Sequence, residues 1–319
     1  MSGSEIKRSL ARLSGYGRAV GRAVCVVAVV AALPAPALAD GRSAVQSLFA
    51  NAATARLAPG FDQKTTQVTP TLVRGMYVLT TSKGEFAGFV NEAGTLWGDV
   101  HEMRVYSPSG AQPRPITPQE RDALRAEMMS AIEYDKLIKV SYGDGGGRKM
   151  LMFSALDCRY CKIFEQLFSK VGPTNNTAYY VVPSSLRPLK AGGQEVWQGV
   201  TQIWCAPDNG QAWKHYWATN ELPAPRQCGI DAVKADRDVH YLTSLLKVAG
   251  VNVTGTPQLV REDGVLIDAR DLKTYLKLPS PVQSEPKLVW LAAADPTVQA
   301  VTPSNNKINV GEKLKKLFN

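Results

Sequence analysis

Lys149-Met150-Leu151-Met152-Phe153-Ser154-Ala155-Leu156-Asp157-Cys158-Arg159-Tyr160-Cys161 is the stretch that decides the fold. Its first five residues are a short apolar run of the kind that forms a buried strand. After it, Tyr160, Ile163, Phe164, Leu167, Phe168 and Val171 recur at helical spacing and predict one apolar helix face. Cys158 is therefore expected where a strand turns into a helix. Free N–H groups and the positive end of the helix dipole stabilise an anion there. A thiolate is such an anion, and a C-x-x-C motif at a helix start lowers a cysteine pKa in this way. The pair reads as a redox-active dithiol.

Two other readings use the same residues. A zinc site needs about four ligands at close spacing. His101, His215 and His240 are scattered, and Cys205 and Cys228 stand far apart, so no metal is expected. A purely structural Cys158–Cys161 disulfide also fits the spacing, but it does not account for the strand–Cys–helix setting.

The N-terminus bears on compartment. Lys7, Arg8, Arg12, Arg18 and Arg22 precede an apolar run, Ala23 to Leu33, and then Pro34-Ala35-Pro36-Ala37-Leu38-Ala39. This pattern predicts a secretory signal over residues 1–39, cleaved after Ala39. The run is short of the roughly 20 residues needed to span a bilayer. Export implies an oxidising compartment, so cysteines are expected to pair. Cys25 leaves with the signal. Of the four that remain, Cys158 and Cys161 form the local pair, which leaves Cys205–Cys228 as a structural disulfide. The net charge is +9, and residues 1–39 carry five Lys/Arg and one Glu, so the mature chain is near +5. No basic cluster with interleaved aromatics is present, so nucleic acid is not an expected partner.

The mature chain divides by composition. Residues 40–112 predict a small α+β unit, with a helix over 42–56 and strands over 75–80, 85–90 and 103–106. Residues 113–142 are expected to be a linker helix running to about Val140. Thr117 and Glu120 form its capping box around Pro118. Residues 143–278 read as β-α-β, a helical insert carrying Val196, Trp197, Val200, Ile203 and Trp204, a helix over about 238–249, a hairpin turned at Asp263-Gly264, and a last helix over 270–276. That order behind a leading C-x-x-C predicts a thioredoxin-like fold, and with the first unit an α+β two-domain chain. Prolines and polar residues dominate from 279 to 319, which predicts a mobile tail.

Four matches resemble the periplasmic protein disulfide isomerases of the DsbC/DsbG type: Phe153…Cys158-Arg159-Tyr160-Cys161, Ile203-Trp204-Cys205-Ala206, Cys228, and Gly255-Thr256-Pro257. They span the second unit, and the tail lies outside them. The resemblance implies a homodimer based on the N-terminal unit. It implies reduction and reshuffling of wrong disulfides in misoxidised exported proteins, a membrane electron donor, and no cofactor. It also implies a cis-Pro257 that, with Thr256 and Tyr160, meets the substrate chain. Three departures bear on redox tuning. Arg159 follows the first cysteine and favours its thiolate, Asp157 precedes it and works the other way, and Ala155 stands where the family has an acid. A disulfide-donating oxidase and a chaperone-like holder of unfolded chains are the alternative functions.

Overall fold

A computed structural model describes residues 66–106, 112–142, 148–171, 177–267 and 290–291. The expected signal segment, the helices over 42–56 and 270–276, and most of the tail lie outside these residues.

The first sheet is a six-stranded antiparallel meander in sequence order. Its strands are β1 (Gln67–Pro70), β2 (Met76–Thr80), β3 (Phe86–Asn91), β4 (Leu96–Gly98), β5 (Met103–Val105) and β6 (Arg114–Pro115). Its turns follow local chemistry. At the β3–β4 turn the Asn91 carboxamide oxygen accepts the N–H groups of Thr95 and Leu96, both at 2.8 Å, and Gly94 takes a positive φ of 66°.

Helix α1 (Pro118–Ala131) follows with the expected capping box. The Thr117 hydroxyl accepts the Glu120 N–H at 3.2 Å, and the Glu120 carboxylate accepts the Thr117 N–H at 2.8 Å. The helix stops at Ala131, not near Val140. Ile132 leaves it with an extended ψ of 131° and bridges Val73, in the connection between β1 and β2. The residues expected to continue the helix form strand β7 (Ile138–Tyr142). Its β-branched Ile138 and Val140 suit a strand, and both are buried there. The helix is not a free spacer either. Leu124, Met128 and Met129 are buried in a core that runs from Val78 and Phe89 of the first sheet to Leu151 and Leu259 of the second.

The second sheet has the order β11-β10-β8-β9-β7. Strand β8 (Arg148–Ala155) lies at its centre, parallel to β9 (Thr177–Ser184) and antiparallel to β10 (Gln258–Arg261). Strand β7 is antiparallel to β9, and β11 (Leu266–Ile267) completes the hairpin with β10. Every β8 residue except Lys149 is buried, which is why this strand reads as a continuous apolar run rather than an alternating one. Helix α2 (Arg159–Val171) leaves the end of β8. Helices α3 (Gln194–Trp204), α4 (Asn209–Thr219) and α5 (Ala232–Val248) lie between β9 and β10. Helix α5 begins six residues before its expected start, where Asp231 caps it by accepting the Lys234 N–H at 2.7 Å. Helix α4 is an element the sequence reading did not predict. It packs closely on β7, because Gly210 has no Cβ to meet the Lys139 carbonyl oxygen, which would stand 2.1 Å away.

Two residues of the tail expected to be mobile are docked. Leu291 is buried, and the Glu127 carboxylate accepts the N–H groups of Trp290 and Leu291 at 2.8 and 3.2 Å. The Asn91 amide donates to the Trp290 carbonyl. Two backbone donors on one buried carboxylate hold these residues in place, despite the polar composition around them.

Candidate active site

Cys158 ends the turn after β8. Its N–H donates to the Ala155 carbonyl at 3.1 Å, and its own carbonyl accepts the Lys162 N–H at 3.2 Å, starting α2. The sulfur therefore sits at the helix N-terminus. The Cys161 N–H donates to the Cys158 sulfur at 3.3 Å, and the Cys158 thiol donates to the Thr256 carbonyl at 3.4 Å. Both thiols are free.

The two cysteines occupy different environments. Cys158 keeps 4% of its surface exposed, and Cys161 keeps none. Burial pushes the Cys158 thiol up. Bonds from the Cys161 thiol, Thr256 and the N–H groups of Cys161 and Tyr160 outweigh it, and the net shift is down. Cys161 goes the other way. Burial, reinforced by its bond to Cys158, raises it to about 12, although the Ala155 N–H (3.5 Å) and neighbouring hydroxyls oppose the rise. Cys158 is thus the member of the pair set up to ionise, and Cys161 the member held as a thiol.

The structure brings Thr256 and Pro257 beside the dithiol, and the Thr256–Pro257 peptide bond is cis. Tyr160 stands on the first turn of α2 and is 72% exposed. With Ile163 and Leu167, exposed by 44% and 55%, it forms an apolar stripe at helical spacing. The sequence grouped these three with Phe164, Phe168 and Val171 on one apolar face. The buried face is instead Cys161, Phe164, Glu165 and Phe168, one step round the helix. Near the same end lies a shallow cavity of about 260 Å³, lined in part by Leu156, Tyr216 and Leu222.

Asp157 and Arg159 flank the nucleophile differently. The Asp157 carboxylate accepts from the Leu186 N–H (2.8 Å) and the Ser185 hydroxyl (3.1 Å) and pairs with Arg187 (3.4 Å), so it anchors the chain after β9. Arg159 is exposed on the first helical turn. Cys205, at the end of α3, is joined to Cys228 by a disulfide with the Cα atoms 5.4 Å apart. No group of three or more metal-ligating side chains occurs among the described residues.

Sequence reasoning missed the ring of polar groups behind the dithiol. Glu165 is buried one helical turn after Cys161. Its carboxylate oxygens accept from Tyr142 (3.0 Å) and Trp213 (2.9 Å), one each. Burial raises the Glu165 pKa to about 7 against the pull of the Trp213 and Tyr142 bonds. The available signal was a lone acid at i+4 from the second cysteine, set between Phe164 and Phe168.

No family model matches the chain. Among curated proteins, the probable thiol:disulfide interchange protein DsbC of Bordetella pertussis is 27% identical over 115 residues, which are 36% of this chain and 38% of that protein. Its counterpart in Bordetella bronchiseptica is 29% identical over 109 residues, 33% of this chain and 36% of that protein. The match thus spans less than two fifths of these relatives' own length. Among solved structures, a disulfide interchange protein from Neisseria gonorrhoeae is 25% identical, over 45% of this chain and 95% of that one, with a TM-score of 0.34. The catalytic domain of Proteus mirabilis ScsC is 16% identical, over 49% and 96%, with a TM-score of 0.32. Over about a third of its length, then, the chain is similar to proteins named as thiol:disulfide interchange proteins, and it carries a free dithiol seated where a buried strand becomes a helix.

Proposed function

We propose that this protein reduces and reshuffles non-native disulfides in exported proteins. The observation that carries the reading is the asymmetry of the pair: Cys158 at a helix start with a lowered pKa, and Cys161 wholly buried behind it with a raised one. A Cys158 thiolate attacks a substrate disulfide, forms a mixed disulfide and expels a substrate thiolate. A second substrate thiol then attacks its own chain and frees Cys158, which completes isomerisation. Where that attack stalls, Cys161 displaces the substrate and the pair is left oxidised.

The surroundings support an unfolded polypeptide as the substrate. Tyr160, Ile163 and Leu167 offer an apolar stripe beside the thiolate, and the bend at Thr256 and Pro257 brings main chain next to it. Arg159 adds a positive charge on the exposed first turn, which favours the thiolate. The relatives are named as interchange proteins, which supports exchange chemistry, and an exported, periplasmic setting with a membrane-fed dithiol is part of the proposal. Dimerisation through the first sheet belongs to the same reading.

The direction of exchange is tested by alkylating thiols in intact cells and separating the redox forms of the chain. A reduced Cys158–Cys161 pair, with Cys205–Cys228 still oxidised, is the expected outcome. A mostly oxidised pair would instead identify a disulfide donor.

A further inference from the structure

The cavity of about 260 Å³ near the dithiol takes no part in the exchange steps. Part of its wall is the turn that carries the nucleophile. The Cys158 N–H donates to the Ala155 carbonyl at 3.1 Å, so Leu156 and Asp157 are the two central residues of that turn, and both line the cavity. The ends of such a turn lie within about 7 Å of each other. The rest of the wall comes from the helical insert: Val196 and Gly199 of α3, Tyr216 of α4, and Leu222. Tyr216 joins the two parts, since its hydroxyl donates to the Leu156 carbonyl at 3.5 Å.

A missing side chain keeps part of this space open. A Cβ on the buried Gly199 would stand 3.3 and 3.4 Å from the Leu222 methyl groups and 3.5 Å from a Leu156 methyl group. Gly199 lies inside α3, where alanine is the better helix former, so what glycine supplies there is room. Leu222 remains 42% exposed, which leaves the apolar lining open to solvent. Two carboxylates complete the lining. Asp157 pairs with Arg187 at 3.4 Å, which offsets its charge. Glu195, on the first turn of α3, is exposed and has no ion pair among the described residues. The volume is below the roughly 300–1,000 Å³ of a small-molecule site and suits one long side chain. A side chain with an apolar stem and a cationic end matches both the lining and the open carboxylate.

We propose that this cavity is a subsite for a lysine or arginine side chain of the substrate polypeptide, two or three positions from the cysteine that Cys158 attacks. The stem lies against Leu156, Gly199 and Leu222, and the cation pairs with Glu195. The position follows from distance. The turn places this wall within about 7 Å of the Cys158 backbone, and an extended chain advances about 3.3 Å per residue. The subsite takes no part in bond making. It sets which disulfide is presented to Cys158, and favours one with a basic residue nearby.

The proposal rests on the exchange reading above, and its test separates the two. Short peptides with one central cysteine are prepared as mixed disulfides with thionitrobenzoate. The Cys158 thiolate of the reduced protein attacks the peptide sulfur. The bond from Cys158 to the peptide forms, the bond to thionitrobenzoate breaks, and the coloured thiolate leaves with the electron pair. Lysine, norleucine, glutamate or alanine is placed in turn at each nearby position on either side of the cysteine. Each rate is divided by that of the same peptide with dithiothreitol, which removes the peptide's own reactivity. At one position norleucine is expected to exceed alanine about fivefold or more. Lysine is expected to exceed norleucine there by about two- to fivefold, less as salt is added, and glutamate to fall below both. Glu195→Gln, at an exposed position, is expected to bring lysine down to norleucine and leave the alanine peptide unchanged. Gly199→Ala narrows the cavity and is expected to slow norleucine and lysine about threefold or more, again sparing alanine. Rates that ignore the side chain at every position overturn the proposal. So does a lysine preference that survives Glu195→Gln, or unaltered norleucine and lysine rates in Gly199→Ala. Wild-type rates no faster than those of Cys158→Ser would instead remove the exchange reading.

Discussion

Residue by residue, the site is a contrast of environments. Two thiols three positions apart are driven in opposite directions, because helix N–H groups outweigh burial at one and burial prevails at the other. Glu165 has a consequence for stability. Its folded pKa, about 7, lies above the ordinary value of 4.5. A raised folded pKa gives a contribution that is complete below the unfolded pKa and lost as pH rises through the folded one. Stability is therefore expected to fall between pH 4.5 and about 7, by on the order of 3 kcal/mol from this group. Urea midpoints at the two ends of that range should show the decline in the wild type and a flatter profile in Glu165→Gln. Equal slopes in the two proteins would contradict it.

Among the elements, α1 shows how local chemistry fixes a boundary. Thr117 and Glu120 satisfy each other's backbone N–H groups, and Arg114 holds Glu120 at 2.6 Å. Chiefly through the Arg114 bond, the Glu120 pKa falls to about 2. A lowered folded pKa gives stability that is present above the unfolded value and lost as pH falls toward the folded one. Thr117→Ala is expected to cost about 1 kcal/mol in a denaturant titration near neutral pH. No measurable loss would mean that the cap does not hold the helix start. The start of α1 was legible in the sequence because its signal is local. Its end was not, because Ile132 leaves the helix to reach Val73, a contact between residues far apart in the chain. Helix α4 was missed for a similar reason. Its buried Trp213 and Trp217 are spaced as a helix face, but polar residues surround them and the strand they pack on lies about seventy residues earlier.

Across the whole molecule, the order of the second sheet was readable from β8 onward, since a buried central strand announces itself by composition. What the sequence hid is the continuity between its two halves. The core runs through both sheets and α1, and Phe89 of the first sheet meets Tyr241 of α5 with ring centres 5.9 Å apart. Such contacts depend on which faces are left uncovered after each sheet forms, and no short window of sequence records them. The placing of Cys158 and Cys161 at a strand-to-helix turn was legible and the buried carboxyl behind them was not, because Tyr142 and Trp213 reach Glu165 from two other elements. The most direct measurement of the central claim is exchange with a scrambled disulfide-bonded protein, using wild type, Cys158→Ser and Cys161→Ser, with covalent adducts resolved by non-reducing gel and mass spectrometry. The account predicts turnover by the wild type, none by Cys158→Ser, and mixed disulfides through Cys158 accumulating in Cys161→Ser. Retained exchange in Cys158→Ser, or adducts through any other cysteine, would contradict it.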